Sequence, residues 1–176
     1  MAGLVFLIPF GELAPGEAAS IRNQVIQALL AKASAELKLS QTSLVVRDIQ
    51  PANDLDFSTE DWFEVTGATA NAYENMTTGT MADQRYVAVY GVKDDGIPSC
   101  TLLRFNISSG NRTIWNLQGL QSINDQDERI GISPAPIIIT PNAPYTISRY
   151  VRMVSSPSHI VLKGVVVEPR GRVISP

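Results

Sequence analysis

The stretch HIVLKGVVV at residues 159–167 decides the fold of this chain. Val and Ile dominate it, which favours a β-strand, and it is too short to be a membrane-spanning helix. Successive side chains of a strand point to opposite faces, so each face receives three apolar residues. One set is Ile160, Leu162 and Val166, and the other is Val161, Val165 and Val167. A strand with one solvated face alternates apolar and polar residues, so this strand is predicted to be covered on both faces.

Length, charge and cysteine content restrict the class of protein. A chain of 176 residues is long enough to bury a self-supporting core. The single cysteine, Cys100, cannot form an intramolecular disulfide, which argues against a cysteine-stapled secreted module. The net charge is −3 and the basic residues are scattered, unlike the clustered charge of nucleic-acid-binding proteins. We therefore expect no direct contact with DNA or RNA.

An apolar run at residues 4–10 fits either a signal peptide or a buried strand. No positive charge precedes the run, and Pro9, Gly11 and Glu12 interrupt it or follow it closely, which favours the strand. Such a strand lies either at an internal sheet edge or in an arm that adds to the sheet of a neighbouring subunit. No stretch of the sequence is long and apolar enough to span a membrane, so no membrane partner is expected.

Residues 15–37 show the one long helical pattern. Apolar residues recur every four positions, at Ile21, Val25, Leu29, Ala33 and Leu37. A second strand is predicted at residues 44–49. The helix between the two strands forms either a βαβ crossover or a cover lying across a sheet formed later in the chain.

Residues 67–84 are predicted to be a loop or linker, because they contain few large apolar side chains. They would separate an N-terminal α/β portion, residues 1–66, from a β-sandwich domain at residues 85–176. In the latter, short apolar strands alternate with turns rich in Gly, Asn and Pro. The predicted fold class is therefore α+β, a short strand-helix-strand portion followed by an antiparallel β-sandwich or jelly-roll-like domain.

The sequence offers no catalytic constellation. His159 is the only histidine, no Gly-x-Ser-x-Gly motif is present, and Cys100 lies among apolar strand residues. One His and one Cys cannot supply the usual ligands of zinc. We expect a non-enzyme with no cofactor and no metal site, and a structural role for His159 at the start of its strand.

Two acidic segments were candidates for a site. Asp125 and Asp127 begin like a calcium-binding loop, but Pro136 occupies the position that needs a bidentate Glu. The cluster Asp54, Asp56, Glu60, Asp61 and Glu64 beside Trp62 contains carboxylates that a glycosidase could use. Capping and surface charge explain such acids at a turn and helix start more simply, so a glycosidase ranks third among the interpretations.

Arginine outnumbers lysine among the fourteen basic residues, and six arginines lie in or beside predicted strands. Arginine suits partly buried and interface positions better than lysine does. Together with strands that are apolar on both faces, this favours contact with other subunits, although the N-terminal helix could cover the second face within a monomer. The candidate interface residues are Leu4, Phe6, Ile8, Arg104, Trp115, Arg149, Arg152, Val161, Val165 and Arg170.

Three segments carry a resemblance to a known class of proteins: Arg104-Phe105-Asn106, ISRYVR at residues 147–152 and LKGVVVEPRGRVIS at residues 162–175. They belong to a C-terminal half whose strands are rich in Ser and Thr, contain more Arg than Lys and close on a Glu-Pro-Arg-Gly turn. In this composition they resemble the β-rich virion proteins of tailed bacteriophages, in particular small capsid cement or decoration proteins. The resemblance implies a small β-domain, often trimeric, that binds a major capsid protein on the outer capsid surface after synthesis in the host cytoplasm.

Alternatives to a cement protein come from two classes. The nearest is another virion part, such as a neck, baseplate or tail protein. The other is a carbohydrate-binding β-sandwich that uses Trp62, Trp115 and the tyrosines to stack on sugars. If a neighbouring subunit covers the second face of residues 159–167, then Val161→Asp or Val165→Asp should dissociate an oligomer before it unfolds the monomer.

Overall fold

The structure, a computed structural model, describes residues 2–58, 63–66, 69–94, 100–108, 111–117, 120, 130–151 and 157–172. The helices in this part of the chain are α1 (Glu17–Leu37) and α2 (Pro51–Leu55). Its strands are β1 (Ala2–Phe6), β2 (Ile8–Pro9), β3 (Leu44–Asp48), β4 (Phe63–Thr66), β5 (Ala72–Thr80), β6 (Tyr86–Asp94), β7 (Cys100–Ile107), β8 (Asn111–Asn116), β9 (Ile130–Ile139), β10 (Pro144–Val151) and β11 (Pro157–Pro169).

The strands form two sheets. The outer sheet has the order β1-β8-β7-β10-β5 and is antiparallel except for the parallel pair of β1 and β8. The central sheet has the order β2-β9-β6-β11-β3, with β4 also paired to β11, and all its pairs are antiparallel. This arrangement confirms the predicted α+β fold with a β-sandwich.

The main core lies between the two sheets. Phe105 and Trp115 of the outer sheet pack edge to face, with 4.8 Å between ring centroids. Val87, Val89 and Leu162 of the central sheet contribute to the same buried cluster. Fully burying such aliphatic side chains contributes roughly 1.5–3 kcal/mol each, so this layer supplies most of the drive to form the sandwich.

A second core lies between the central sheet and α1. Val25 and Leu29 of the helix are buried against Tyr86, Val165 and Val167. The apolar stripe predicted for residues 15–37 is therefore the face that packs on the sheet. The prediction that both faces of residues 159–167 are covered is confirmed, and the helix of the same chain covers the face that carries Val165.

The helix connects opposite edges of the central sheet. β2 and β3 are the end strands of that sheet, and four successive antiparallel pairs make them run in the same direction. The helix thus crosses the sheet between two parallel edge strands. Its last residue, Leu37, is followed by Lys38, which adopts a left-handed conformation. The sequence left open whether the helix forms a βαβ crossover or covers a sheet formed later in the chain. In the structure it does both, because α1 connects β2 to β3 and packs on β6 and β11.

The predicted loop at residues 67–84 is wrong for Ala72–Thr80, which forms β5 and pairs with β10. Its Thr residues suit a strand whose outer side faces solvent, so a polar composition does not exclude a strand. The predicted boundary also fails to separate two sets of strands, because β1 pairs with β8 and β3 pairs with β11. A short helix, α2, follows the second predicted strand.

Gly164 explains the break in the apolar run of β11. The pairing of β11 with β6 shifts register between Lys163 and Gly164, as at a β-bulge. A Cβ atom at Gly164 would lie 2.7 Å from the carbonyl oxygen of Ala88. A side chain at this position would therefore push the two central strands apart.

Candidate functional site

Two arginines and two acids form a buried ion-pair network at one end of the central sheet. Arg47 binds Asp54 through two hydrogen bonds, Nη1 to Oδ2 and Nη2 to Oδ1, both 2.7 Å. Arg47 Nε also donates to Glu168 Oε1 at 3.0 Å. On the other side, Arg85 Nε donates to Glu168 Oε2 at 2.9 Å, and its Nη1 lies 3.1 Å from Asp54 Oδ1.

The network holds α2 against the sheet. Asp54 belongs to α2, Arg47 to β3 and Glu168 to β11, while Arg85 immediately precedes β6. The Asp54 carboxylate also accepts the backbone N–H of Gln50 at 2.7 Å, which satisfies a free donor at the start of α2. Hydrogen bonds to Asp54 raise the pKa of Arg47 above its ordinary value.

These groups are poorly suited to catalysis. Each carboxylate contacts both guanidinium groups, so neither is free to exchange a proton with a substrate. The network is therefore a structural element. The expectation that Asp54 is an ordinary capping or surface charge is wrong. Glu168 is not among the sequence-predicted sites, although a lone acid that closes the apolar run VVVE indicates a buried cationic partner.

Three candidate interface residues lie inside the chain. Trp115 and Arg149 are fully buried between the sheets, where Arg149 Nη2 donates to Glu74 Oε2 at 3.2 Å. Val165 is fully buried beneath α1. None of these side chains reaches the surface, so they act within the fold and are withdrawn as contact residues.

The other candidates lie on separate parts of the surface. Ile8 is half-buried in β2 at one edge of the central sheet, and Val161 is half-buried in β11. Arg170 is exposed in the turn that follows β11. Arg152 lies outside the described residues, as do Trp62, Glu60, Asp61, Asp125 and Asp127, and the side chain of Glu64 is likewise not described. The nine described candidates therefore do not form one surface.

Leu4 and Phe6 are the apolar candidates with the most exposed side chains among those described. Both lie in β1, and their exposed fractions are 54% and 67%. Val5 between them packs against the inter-sheet core. Alternation along the strand thus places Leu4 and Phe6 on the solvent face of the outer sheet.

Strand register connects Leu4 to Arg104 across that face. Leu4 pairs with Ile114, and Ile114 pairs with Arg104. The guanidinium carbon of Arg104 stands 3.9 Å from the ring centroid of Tyr73, a distance suited to a cation–π contact. Tyr73 packs edge to face on Tyr150, with 5.2 Å between centroids. The face is apolar at the β1 edge and aromatic with a cation near the β5 edge.

Edge strands differ in how well they are protected against pairing with another chain. Proteins block exposed edges with charges, prolines or bulges. In the described part of the chain, β2 contains Pro9, and β3 contains Arg47 and Asp48. β5 contains Glu74, and its register with β10 shifts opposite the bond between residues 147 and 148.

β1 has none of these features. Its sequence is AGLVF, and its parallel register with β8 is regular over all five residues. Among the described strands only β8 pairs with it, so within the described part of the chain its second edge has no strand partner. It is the edge strand best suited to accept a further strand.

Among the described residues, His159 and Cys100 lie on separate strands. No set of three His, Cys, Asp or Glu side chains that could hold a metal ion occurs among the residues described. His159 lies in β11 opposite Glu64 of β4, and Cys100 begins β7 opposite Val151. A shallow depression near the β5 edge is lined by Thr78, Thr80, Asn106, Ser108, Pro144, Tyr145 and Thr146 around Gly79.

Neither described helix is long and apolar enough to cross a membrane. Comparison with known proteins finds no matching protein family, no matching curated protein and no matching solved structure. Arguments about function therefore rest on the surface of the molecule.

Proposed function

We propose that this chain is a non-catalytic assembly protein that docks through the free edge of β1. The observation that carries the proposal is the exposure of Leu4 and Phe6 on an edge strand with no charge, proline or bulge. Burial of apolar surface is worth about 25 cal/mol per Å², so covering these two side chains favours association. An added strand would also satisfy the free backbone groups of β1.

In its specific form, the proposal is a capsid cement or decoration protein of a tailed bacteriophage. The support is the resemblance of residues 162–175 to such virion proteins, together with the exposed apolar edge strand β1. The partners would be further copies of the chain and a major capsid protein on the outer shell. Many weak contacts on a repeating shell act together, so a small docking edge suffices. A neck, baseplate or tail position is the alternative within the same class.

Capsid binding tests the proposal. The protein is mixed with shells assembled from the major capsid protein encoded in the same genome, and bound protein is measured by co-sedimentation. We expect binding by the wild type and at least tenfold weaker binding by Leu4→Ser/Phe6→Ser. The control is Leu39→Ser, which removes an exposed apolar residue at 37% exposure away from β1. Equal binding by all three proteins would contradict docking through β1.

A carbohydrate-binding module is the second candidate. The shallow depression lined by threonines and Asn106, and the half-exposed Tyr73 and Tyr150 nearby on the same sheet, favour it. Trp115 cannot serve as a stacking platform because it is fully buried. Light scattering distinguishes the two candidates, since a monomer at all concentrations whose fluorescence shifts on sugar titration would favour the carbohydrate module.

A further inference from the structure

We propose that the occupant of the β1 edge is β1 of a second copy, paired antiparallel about a twofold axis. This inference rests on the proposed assembly function and names the partner at the edge: β1 joins two copies, and the pair then binds the shell at two points, so losing the pair weakens capsid binding. The contact would join two five-stranded outer sheets into one continuous sheet. Each β1 is about 16 Å long at the usual rise of a strand, so the shared edge would extend over about this length.

Symmetry explains why β1 suits a copy of itself. In a twofold contact the same residues meet from both sides, so any charge near the axis faces its own like charge. The sequence AGLVF carries no charge. The edge strand β3, in contrast, contains Arg47 and Asp48, and the edge strand β5 contains Glu74. Self-pairing of β1 therefore meets no electrostatic opposition, and the other uncharged edge strand, β2, is only two residues long and contains Pro9.

Side-chain size supports the same pairing. If the axis passes through Leu4, the two Leu4 side chains lie opposite each other and each Phe6 lies opposite Ala2 of the second copy. A large residue then faces a small one on the solvent side of the sheet. Directly opposed residues have Cβ atoms about 4.5–5.5 Å apart, close enough for Leu4 and Phe6 to shield one another from water.

The predicted contact is small and therefore weak in isolation. A stable interface usually buries about 800 Å² per partner, more than two side chains and a five-residue edge supply. We expect a dimer that forms at micromolar or higher concentration. The trimer implied by the resemblance would need a contact between unlike surfaces, because pairing of two identical edges closes at two copies.

Charge-swapped variants test the contact. Leu4→Lys/Phe6→Lys and Leu4→Glu/Phe6→Glu each place like charges across the axis if it passes through Leu4, Val5 or Phe6. Sedimentation velocity over a concentration series should show wild-type mass rising from 19.1 kDa towards twice that value. Each variant alone should associate at least tenfold more weakly, and an equimolar mixture should associate again, because Lys then faces Glu.

The controls separate this inference from the proposed function. Leu39→Lys and Leu39→Glu should keep wild-type association, and circular dichroism verifies that every variant is folded. Variants that dissociate alone but fail to associate when mixed would overturn the twofold pairing, as would an oligomer that both variants retain. A wild type that stays monomeric up to about 1 mM yet binds capsid shells would also overturn it while leaving the assembly function in place.

Discussion

At the residue scale, Glu168 shows how a buried acid constrains a fold. Its carboxylate is 1% exposed at the end of an apolar strand, and two arginines from distant parts of the chain reach it. Desolvation makes such a charge costly unless its partners are fixed in place. The network therefore acts chiefly by specifying where α2 and β3 dock, and removing one member leaves the others uncompensated.

Asp54→Ala tests the network. We expect a loss of about 3–5 kcal/mol in the free energy of unfolding, because buried Arg85 and half-buried Arg47 lose a partner and the N–H of Gln50, just before α2, loses its acceptor. The control is Asp48→Ala, which breaks the exposed pair of Arg22 with Asp48 at 2.8 Å and should cost less than about 1 kcal/mol. Urea unfolding of both variants gives the comparison, and equal losses would contradict a buried network.

The raised pKa of Tyr86 leads us to expect that the free energy of unfolding depends on pH in the alkaline range. Burial, followed by the hydrogen bond from its hydroxyl to Glu36 at 2.8 Å, raises the pKa of Tyr86 to about 12. The ordinary pKa of tyrosine is about 10, so the folded state binds this proton more tightly than the unfolded state does. The resulting stability is fully present below pH 10 and is lost as the pH rises towards 12.

Tyr86→Phe removes this dependence. The variant should lose stability less steeply than the wild type between pH 10 and pH 12, as measured by denaturant unfolding at several pH values. Glu36→Gln removes the negative charge but keeps an acceptor, and should give an intermediate slope. Wild type and Tyr86→Phe with the same slope would contradict the assignment.

At the scale of elements, β11 and α1 were predictable because their sequence periods are unambiguous. The four-residue repeat along α1 and the two-sided apolar run of β11 each require burial. β5 was missed because a solvent-facing edge strand need not contain large apolar residues. Alternation also does not tell which face of an isolated strand points inward, so Trp115 and Arg149 were assigned to an interface that they do not reach.

Val165→Asp and Val161→Asp now give different expectations. Val165 is fully buried beneath α1, so an aspartate there places an unpaired charge in the core and should prevent folding. Val161 is half-buried and lies opposite Lys93, which can neutralise an aspartate across the strand pair. Val161→Asp should therefore remain folded by circular dichroism and lose less than about 2 kcal/mol. Folded, monomeric Val165→Asp would show instead that a neighbouring subunit covers this face.

At the scale of the whole molecule, the three layers formed by the described residues leave the apolar edge of β1 uncovered. The helix covers the central sheet, and the central sheet covers the inner face of the outer sheet. The sequence identified Leu4 and Phe6 as candidate contacts, but their common orientation depends on the parallel pairing of β1 with β8, which joins residues more than a hundred positions apart. Such pairing cannot be read from local periodicity.

Self-pairing of this edge predicts that thermal stability depends on protein concentration. A dimer is stabilised by mass action, so raising the concentration tenfold within the associating range should raise Tm by about 2 °C for a chain of this length. Leu4→Lys/Phe6→Lys should show no such dependence, because its monomer unfolds alone. Scanning calorimetry at three or more concentrations measures the effect. A constant Tm for the wild type over concentrations at which sedimentation shows a dimer would contradict this prediction. It would mean that folded and unfolded chains associate equally well, so the association would not require the folded β1 edge.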